Sequence, residues 1–208
     1  MASVGSVQLI EVFADVVCPF THVGLRRLFA LRQQKDREDV VIRVRAWPLE
    51  LVNGEQVPRE LLTEEVTDLR HTVAPDLFTA FDPDLFPMTS LPALALAANA
   101  YKIDMHHGEQ VSLALRQALF EEGRDLTDSA ELLRIDQLAT VDDIRTDDND
   151  VQADYAEGRD RGVIGSPHFF VGDDDFFCPT LAIERVDGHL SISFDAAGFN
   201  EFIDRCFG

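Results

Sequence analysis

Positive charge is scarce in this 208-residue chain. It carries 18 lysine and arginine residues against 38 aspartate and glutamate residues, which gives a formal net charge of −20. A field of this sign repels phosphate backbones and anionic lipid surfaces. We therefore expect neither nucleic acid nor a membrane surface among its partners.

Long apolar runs are also lacking. The longest, in "LPALALAANAY" (91–101), is shorter than the ~20 residues that a membrane-spanning helix requires. The opening "MASVGSVQLIEVFAD" has neither the basic start nor the apolar stretch of a secretory signal. The sequence therefore predicts a cytoplasmic protein.

Cysteine is rare, with three residues at positions 18, 178 and 206. An odd number of widely spaced cysteines is neither a disulfide framework nor a cluster of metal ligands. His106 and His107 are sequence neighbours, which point to different sides of a helix. We expect no metal site and at least one free thiol.

What is present is enough apolar material for one core, since 46% of the residues are hydrophobic. Residues 7–15 and 40–49 read as strands, and "GLRRLFALRQQK" (24–35) between them has helical spacing. Residues 58–160 contain several helical patterns and almost no alternation. Ser90 is predicted to cap one of these helices, and Gly123 to end the next.

Strand patterns return after Gly162. "HFFVG" (168–172) reads as a strand, "GDDDFF" (172–177) as solvated turns, and residues 180–194 as a hairpin turning at Asp187–Gly188. A final amphipathic helix covers 195–207. The order β-α-β, helices, β-β-α predicts an α/β fold.

The stretch "DVVCPFTHVG" (15–24) places Cys18 directly before Pro19, where the first strand gives way to the first helix. Proline suits the first helical position, and it leaves the amides of Phe20 and Thr21 facing the sulfur. Because a helix N-terminus stabilises a thiolate, this placement predicts a lowered pKa for the Cys18 thiol. The competing interpretation is a small buried residue beside a turn.

A second feature lies far away in sequence. "GVIGSPHFFV" (162–171) sets a glycine-flanked Ser166–Pro167 before an apolar strand. X-Pro bonds are the ones that adopt cis at modest cost, and a cis bond here would expose the backbone groups of Ser166 to a partner.

Together these stretches resemble the thioredoxin superfamily, in particular its DsbA-like family, in which a helical domain is inserted between the two halves of a thioredoxin fold. Residues 91–101 and "LRQALFEEGRDLTD" (115–128) are similar to the inserted helices of the cytoplasmic FrnE-like branch. That branch also contains 2-hydroxychromene-2-carboxylate isomerases and kappa-class glutathione transferases. The resemblance implies a discontinuous thioredoxin-like domain, 1–57 and 162–208, around an all-helical insertion, 58–161.

The resemblance also implies the roles of individual residues. Cys18 stands at the nucleophile position, Pro19 and Phe20 at the intervening pair, and Thr21 where a dithiol enzyme has its resolving cysteine. The residues implied to contact substrate are Phe20, Ser166, Pro167 as the cis-proline, and His168.

The implied activity is that of a thiol-disulfide oxidoreductase or isomerase. Its implied partners are protein or small-molecule thiols and disulfides, with no tightly bound cofactor and a homodimer as a candidate assembly. His22, one helical turn after Cys18, is a lesser candidate for lowering the thiol pKa.

Thr21 leaves three routes open, because no second thiol stands within the motif to release a mixed disulfide. In the first, an external thiol such as glutathione resolves Cys18. In the second, Cys178 does so, although a buried structural cysteine is the commoner outcome; Cys206 is predicted to be core.

In the third route, Cys18 binds or activates a thiol cofactor in a transferase or isomerase. That reaction would use a pocket lined by Phe20, Trp47 and Phe86. A non-catalytic binding module is the remaining alternative, with exposed phenylalanines of "DLFTAFDPDLFPM" (76–88) as its surface.

Overall fold

The computed structural model describes residues 7–146, 149–186 and 189–208. The described strands are β1 (Gln8–Ala14), β2 (Val40–Ala46), β3 (His168–Val171), β4 (Asp174–Phe177), β5 (Leu181–Val186) and β6 (His189–Phe194). The described α-helices are α1 (Pro19–Gln34), α2 (Leu49–Asn53), α3 (Arg59–Thr72), α4 (Leu91–Ile103), α5 (Met105–Glu121), α6 (Ser129–Ile135), α7 (Asn149–Asp160) and α8 (Ala196–Phe207). Short 3-10 helices cover Pro83–Leu85 and Val141–Ile144.

Four of the described strands form the main sheet, in the order β2-β1-β3-β4. β1 and β2 run parallel and are joined by α1, as the β-α-β pattern predicts. β3 runs antiparallel to β1, with Phe13 opposite His168. The end of β1 therefore lies beside the start of β3, and the chain segments that carry Cys18 and Pro167 meet at one edge of the sheet.

The strand β4 contradicts the prediction of solvated turns over 172–177. It pairs with β3 across a two-residue loop, in which Gly172 takes a left-handed φ of 62°. As an edge strand it leaves Asp174, Asp175 and Phe177 exposed. Without a buried alternating face, its residues carry no hydrophobic period from which a strand could be predicted.

The predicted hairpin forms as β5 and β6, but in a separate two-stranded sheet. Its predicted turn at Asp187–Gly188 lies outside the described residues. The strand that pairs with β3 in the main sheet is β4, and the predicted hairpin of residues 180–194 lies outside that sheet. The physical reason is packing, since Leu181 and Ile192 are buried in one apolar cluster with residues of the helical segment.

The helices α3 to α7 follow one another between β2 and β3. Their buried side chains share a cluster with Val16 and Val17, the two residues before Cys18. A second cluster packs α1 and α8 against the sheet through Leu28, Phe169 and Phe202. Cys18 thus sits where the sheet, α1 and the helical segment join, while the domain boundaries at 57 and 161 stay a prediction.

Two predicted helix boundaries have different outcomes. Gly123 follows the end of α5 with a φ of 59°, and a Cβ there would lie 2.5 Å from the carbonyl oxygen of Ala80. Ser90 stands at the predicted N-cap position of α4, but its side chain makes no capping hydrogen bond to that helix. Its hydroxyl donates instead to the Asp15 carboxylate over 3.1 Å.

None of the helices in the described ranges combines the length and the apolar character needed to cross a bilayer.

Candidate active site

Cys18 occupies the N-cap position of α1, and Pro19 begins the helix. The Ser166–Pro167 peptide bond is cis, and the Cys18 thiol donates a hydrogen bond to the Ser166 carbonyl oxygen over 3.1 Å. The sheet register explains this contact, because it sets the loop before β3 next to the turn after β1. Two residues 148 positions apart in sequence are thereby in direct contact.

Thr21 lies next to the contact between Cys18 and Ser166. Its hydroxyl is 3.0 Å from the Ser166 hydroxyl, which also accepts a hydrogen bond from the Asp15 N–H over 2.9 Å. Thr21 is fully buried. The residue at the resolving position therefore anchors the Ser166 loop to α1.

The thiol of Cys18 is almost entirely buried, with 3% of the residue exposed. Burial raises the pKa of the Cys18 thiol above its ordinary value, and the nearby Glu65 carboxylate raises it further. Hydrogen bonds from the side-chain hydroxyls of Ser166 and Thr21, and from the Thr21 N–H, oppose this effect. The prediction of a lowered pKa is therefore wrong, because the helix N-terminus offsets only part of the desolvation cost.

A raised pKa has a measurable consequence for alkylation. Since only the thiolate reacts, the rate at which iodoacetamide modifies Cys18 should keep rising up to at least about pH 9. Peptide mass spectrometry after timed labelling measures this rate, and Cys206, buried in the apolar cluster under α8, serves as the slow internal reference. A plateau below about pH 7 would contradict the raised pKa.

A cavity of about 220 Å³ opens beside Cys18. Its walls are largely apolar, with Val17, Phe20, Leu49, Leu61, Phe177 and Ile183 among them. Phe177 and Ile183 are 48% and 38% exposed, which is high for large apolar side chains. They place an exposed apolar surface next to the thiol.

Cys178 lines the same cavity as Cys18. Its N–H donates to the Pro167 carbonyl oxygen over 3.0 Å, and its φ is 44°, in the left-handed region that a non-glycine residue rarely adopts. Burial and the neighbouring Cys18 raise the pKa of the Cys178 thiol to about 12. Both thiols are free in the structure.

Glu65, on α3, also lines this cavity, and sequence reasoning missed it. Burial raises the pKa of its carboxyl to about 7; Arg185 lowers that pKa and Glu64 raises it. The available signal was its position on the helix. Leu62, Val66 and Leu69 form the buried stripe of α3, and Glu65 lies between them.

His168 and His22 are held away from the cavity. The His168 ring stacks on Phe170, accepts from the Ile164 N–H over 3.3 Å and donates to Asp175 over 2.9 Å. His22 donates to Glu121 over 2.7 Å. Burial lowers the pKa of His22, so that the ring is neutral.

Two of the three aromatic residues predicted to line the pocket lie outside the Cys18 cavity. Phe20 lines the cavity as predicted. Trp47 instead packs edge-on against Phe13. Phe86 borders a separate pocket near Asp15. The expected exposed phenylalanine surface over 76–88 is wrong, because Phe78 and Phe86 are buried core residues. A chain this rich in helices needs those side chains to fill its interior.

Beneath the site lies a buried charged pair that the sequence did not indicate. The Asp15 carboxylate accepts from the Leu49 N–H over 2.6 Å and from the Val17 N–H over 3.2 Å. Arg116, on α5, donates to the Asp15 carbonyl oxygen over 3.1 Å. Burial raises the pKa of Asp15 to about 6 and lowers that of Arg116 to about 10.

Within the three described ranges, histidine, cysteine, aspartate and glutamate side chains form no group of three or more that could hold a metal ion.

Solved structures share this fold at low sequence identity. A probable DsbA oxidoreductase from Streptomyces coelicolor superposes with a TM-score of 0.62 at 16% identity, over 97% of this chain and 90% of that chain. The cytosolic disulfide reductase DsbM from Pseudomonas aeruginosa gives 0.61 at 15% identity, over 95% of each chain. A 2-hydroxychromene-2-carboxylate isomerase gives 0.58 at 15% identity, over 81% of this chain and 88% of that chain.

No curated protein matches the sequence. Residues 9–191, however, match the family described as the DSBA-like thioredoxin domain. That match spans most of the chain, and it confirms the thioredoxin-like α/β fold. The chain therefore belongs to the DSBA-like thioredoxin domain family.

Proposed function

We propose that this protein is a thiol-disulfide oxidoreductase or isomerase that acts through Cys18 as its single active-site cysteine. One observation carries the proposal. The Cys18 sulfur lies at a helix N-terminus, 3.1 Å from the carbonyl oxygen of a residue that precedes a proline, and it faces an apolar cavity. A disulfide that enters the cavity would therefore meet both the Cys18 sulfur, as nucleophile, and the Ser166 carbonyl oxygen, as hydrogen-bond acceptor.

In the proposed reaction, Cys18 loses its proton and its thiolate attacks one sulfur of a substrate disulfide. A new S–S bond forms to Cys18 while the substrate S–S bond breaks, and the leaving thiolate takes up a proton from solvent. The Cys18 sulfur is oxidised and the leaving sulfur is reduced. The contacts from Thr21 and Ser166 stabilise the thiolate that this step requires.

Release of the mixed disulfide then needs a second thiol. Thr21 has none, and its hydroxyl is engaged with Ser166. We propose that a low-molecular-weight thiol, glutathione or another, attacks the mixed disulfide and returns Cys18 to its reduced form. No tightly bound cofactor takes part in this scheme.

A second candidate is resolution by Cys178, which one observation favours: both thiols line the same cavity. In that case Cys178 attacks the Cys18 sulfur, an intramolecular disulfide forms, and the substrate leaves reduced. The raised pKa of Cys178 works against this route, because little thiolate is present near neutral pH.

The Cys178→Ser variant separates the two routes. Protein is loaded with 2-hydroxyethyl disulfide, freed of excess reagent, and followed by intact-mass spectrometry. If an external thiol resolves Cys18, the adduct should persist in both proteins until thiol is added, and release rates should agree within about twofold. Adduct lost spontaneously from the wild type but retained in Cys178→Ser would instead establish Cys178 as the resolving thiol. The Cys206→Ser variant is the matched control.

A transferase or isomerase that uses a thiol cofactor is less well supported. The carboxylates of glutathione require cationic or backbone partners. Among the described residues that line the cavity, none is lysine, arginine or histidine.

The cytoplasm is the proposed setting for this chemistry. Three widely spaced cysteines form no disulfide framework, which agrees with a reducing compartment.

A further inference from the structure

The wall of the Cys18 cavity carries a single acidic side chain among the described residues, that of Glu65. The other side chains of this wall are apolar, hydroxyl, amide or thiol groups. A charge at this place is therefore the main electrostatic feature that a group bound beside Cys18 would meet. In a confined apolar space such a charge acts over several ångströms with little screening.

The surroundings of Glu65 determine when it is charged. Cys18 at the start of α1 and Cys178 after β4 share the cavity with it, and both thiols are protonated near neutral pH. Glu64, its neighbour on α3, accepts from the Leu190 N–H, and the exposed Arg185 on β5 is the nearby cation. Glu65 thus changes from neutral to negative near pH 7, at about the pH at which the protein would work.

We propose that Glu65 is a specificity-determining residue, which selects disulfides and thiols with a positive charge beside sulfur and disfavours those with a negative charge. This inference rests on the proposed thiol-disulfide exchange at Cys18. Its substrate class would be amine-bearing disulfides or disulfides flanked by basic residues. Of the low-molecular-weight thiols proposed above to resolve Cys18, the selection favours a cationic or neutral one over the anionic tripeptide glutathione, in agreement with the lack of a cation among the described cavity walls.

Three small disulfides of similar size test the selection. Cystamine is cationic, 2-hydroxyethyl disulfide is neutral and 3,3′-dithiodipropionate is anionic. Each exchanges with Cys18 to form one mixed disulfide and one free thiol, which intact-mass spectrometry follows over time. Moderate salt of about 0.2 M screens the general field of the acidic surface.

At about pH 8 the wild type should react faster with cystamine than with dithiodipropionate, and Glu65→Gln should reduce the ratio of these rates about tenfold. The rate with the neutral disulfide should change much less. Glu60→Gln is the matched control, since it removes the same charge from an exposed position on the same helix. It should leave the ratio unchanged within about twofold.

A second measurement needs no variant. In the wild type the ratio should increase between about pH 6 and about pH 8, because Glu65 ionises over this range, whereas the ionisation of Cys18 affects both rates alike and cancels. If the ratio of the cystamine rate to the dithiodipropionate rate neither rises with pH nor falls in Glu65→Gln, Glu65 does not determine specificity. The proposed exchange at Cys18 would still stand. Failure of all three disulfides to react with Cys18 would overturn the proposed function, and the selection with it.

Discussion

Serine in place of Cys18 should abolish mixed-disulfide formation, with a loss of about a thousandfold or more in rate. The reason is chemical, because a hydroxyl remains protonated and cannot form a disulfide. The side chains are nearly the same size, and the serine hydroxyl can donate to the Ser166 carbonyl oxygen as the thiol does. The fold should therefore persist.

The measurement is the rate of adduct formation with 2-hydroxyethyl disulfide, followed by intact mass, together with circular dichroism to establish that the variant is folded. Cys178→Ser and Cys206→Ser are the comparisons, and each should keep most of the wild-type rate. An adduct that forms in Cys18→Ser at the wild-type rate would show that another cysteine reacts. In that case the assignment of Cys18 as nucleophile is wrong.

The second large effect concerns stability. Arg116→Met should lower the free energy of unfolding by about 2–4 kcal/mol at about pH 8. Arg116 is 1% exposed and donates to the carbonyl oxygens of Asp15 and Ser112, so its loss removes two charge-assisted hydrogen bonds from the interior. It also leaves the Asp15 carboxylate without its compensating cation.

The pH dependence identifies the Asp15 contribution. Burial raises the pKa of Asp15 from 3.8 to about 6 in the folded protein, so ionisation of this group costs stability as the pH rises through that interval. Without Arg116 the folded pKa rises further, and the cost grows and extends to higher pH. The destabilisation should accordingly be smaller at about pH 5 than at about pH 8.

Urea unfolding at the two pH values provides the measurement. Arg134→Met is the control, because this side chain is 68% exposed on α6, and its variant should stay within about 0.5 kcal/mol of the wild type. Equal stability of Arg116→Met and Arg134→Met would contradict the role of the buried pair. A loss that is the same at both pH values would show that Asp15 is not part of it.

The parts of the site that sequence reasoning could find are those with a local signature. Cys18 before a proline at a strand-to-helix junction, and Ser166–Pro167 before an apolar strand, can each be recognised within ten residues. The sheet register then brings them together without further information from side chains.

The parts that sequence reasoning missed depend on distant contacts. β4 lacks apolar alternation, and it becomes a strand because its backbone pairs with that of β3. Arg116 lies on the buried face of α5, and its partner Asp15 is 101 residues away. Glu65 looks like an ordinary surface residue until α3 is packed against the N-terminus of α1. Such residues acquire their roles only from the tertiary structure.

The prediction that His168 contacts substrate is not supported by the position of its ring, although the residue directly follows the loop that contacts Cys18. It directly follows Pro167, but the strand alternation places it on the same face as Phe170, and that pair stacks together. The neighbouring Phe169 points the other way and packs on Phe202. Adjacency in sequence therefore does not place the imidazole at the thiol.

The separation of 148 residues between Cys18 and Ser166 also matters while the chain is being synthesised. Cys18 leaves the ribosome early, whereas the loop that accepts its hydrogen bond follows after the whole helical segment. At ordinary rates of translation this interval lasts on the order of ten seconds. Throughout that time the nascent chain carries a solvent-accessible thiol, which lacks the burial that later raises its pKa and is therefore more open to oxidants than in the finished protein.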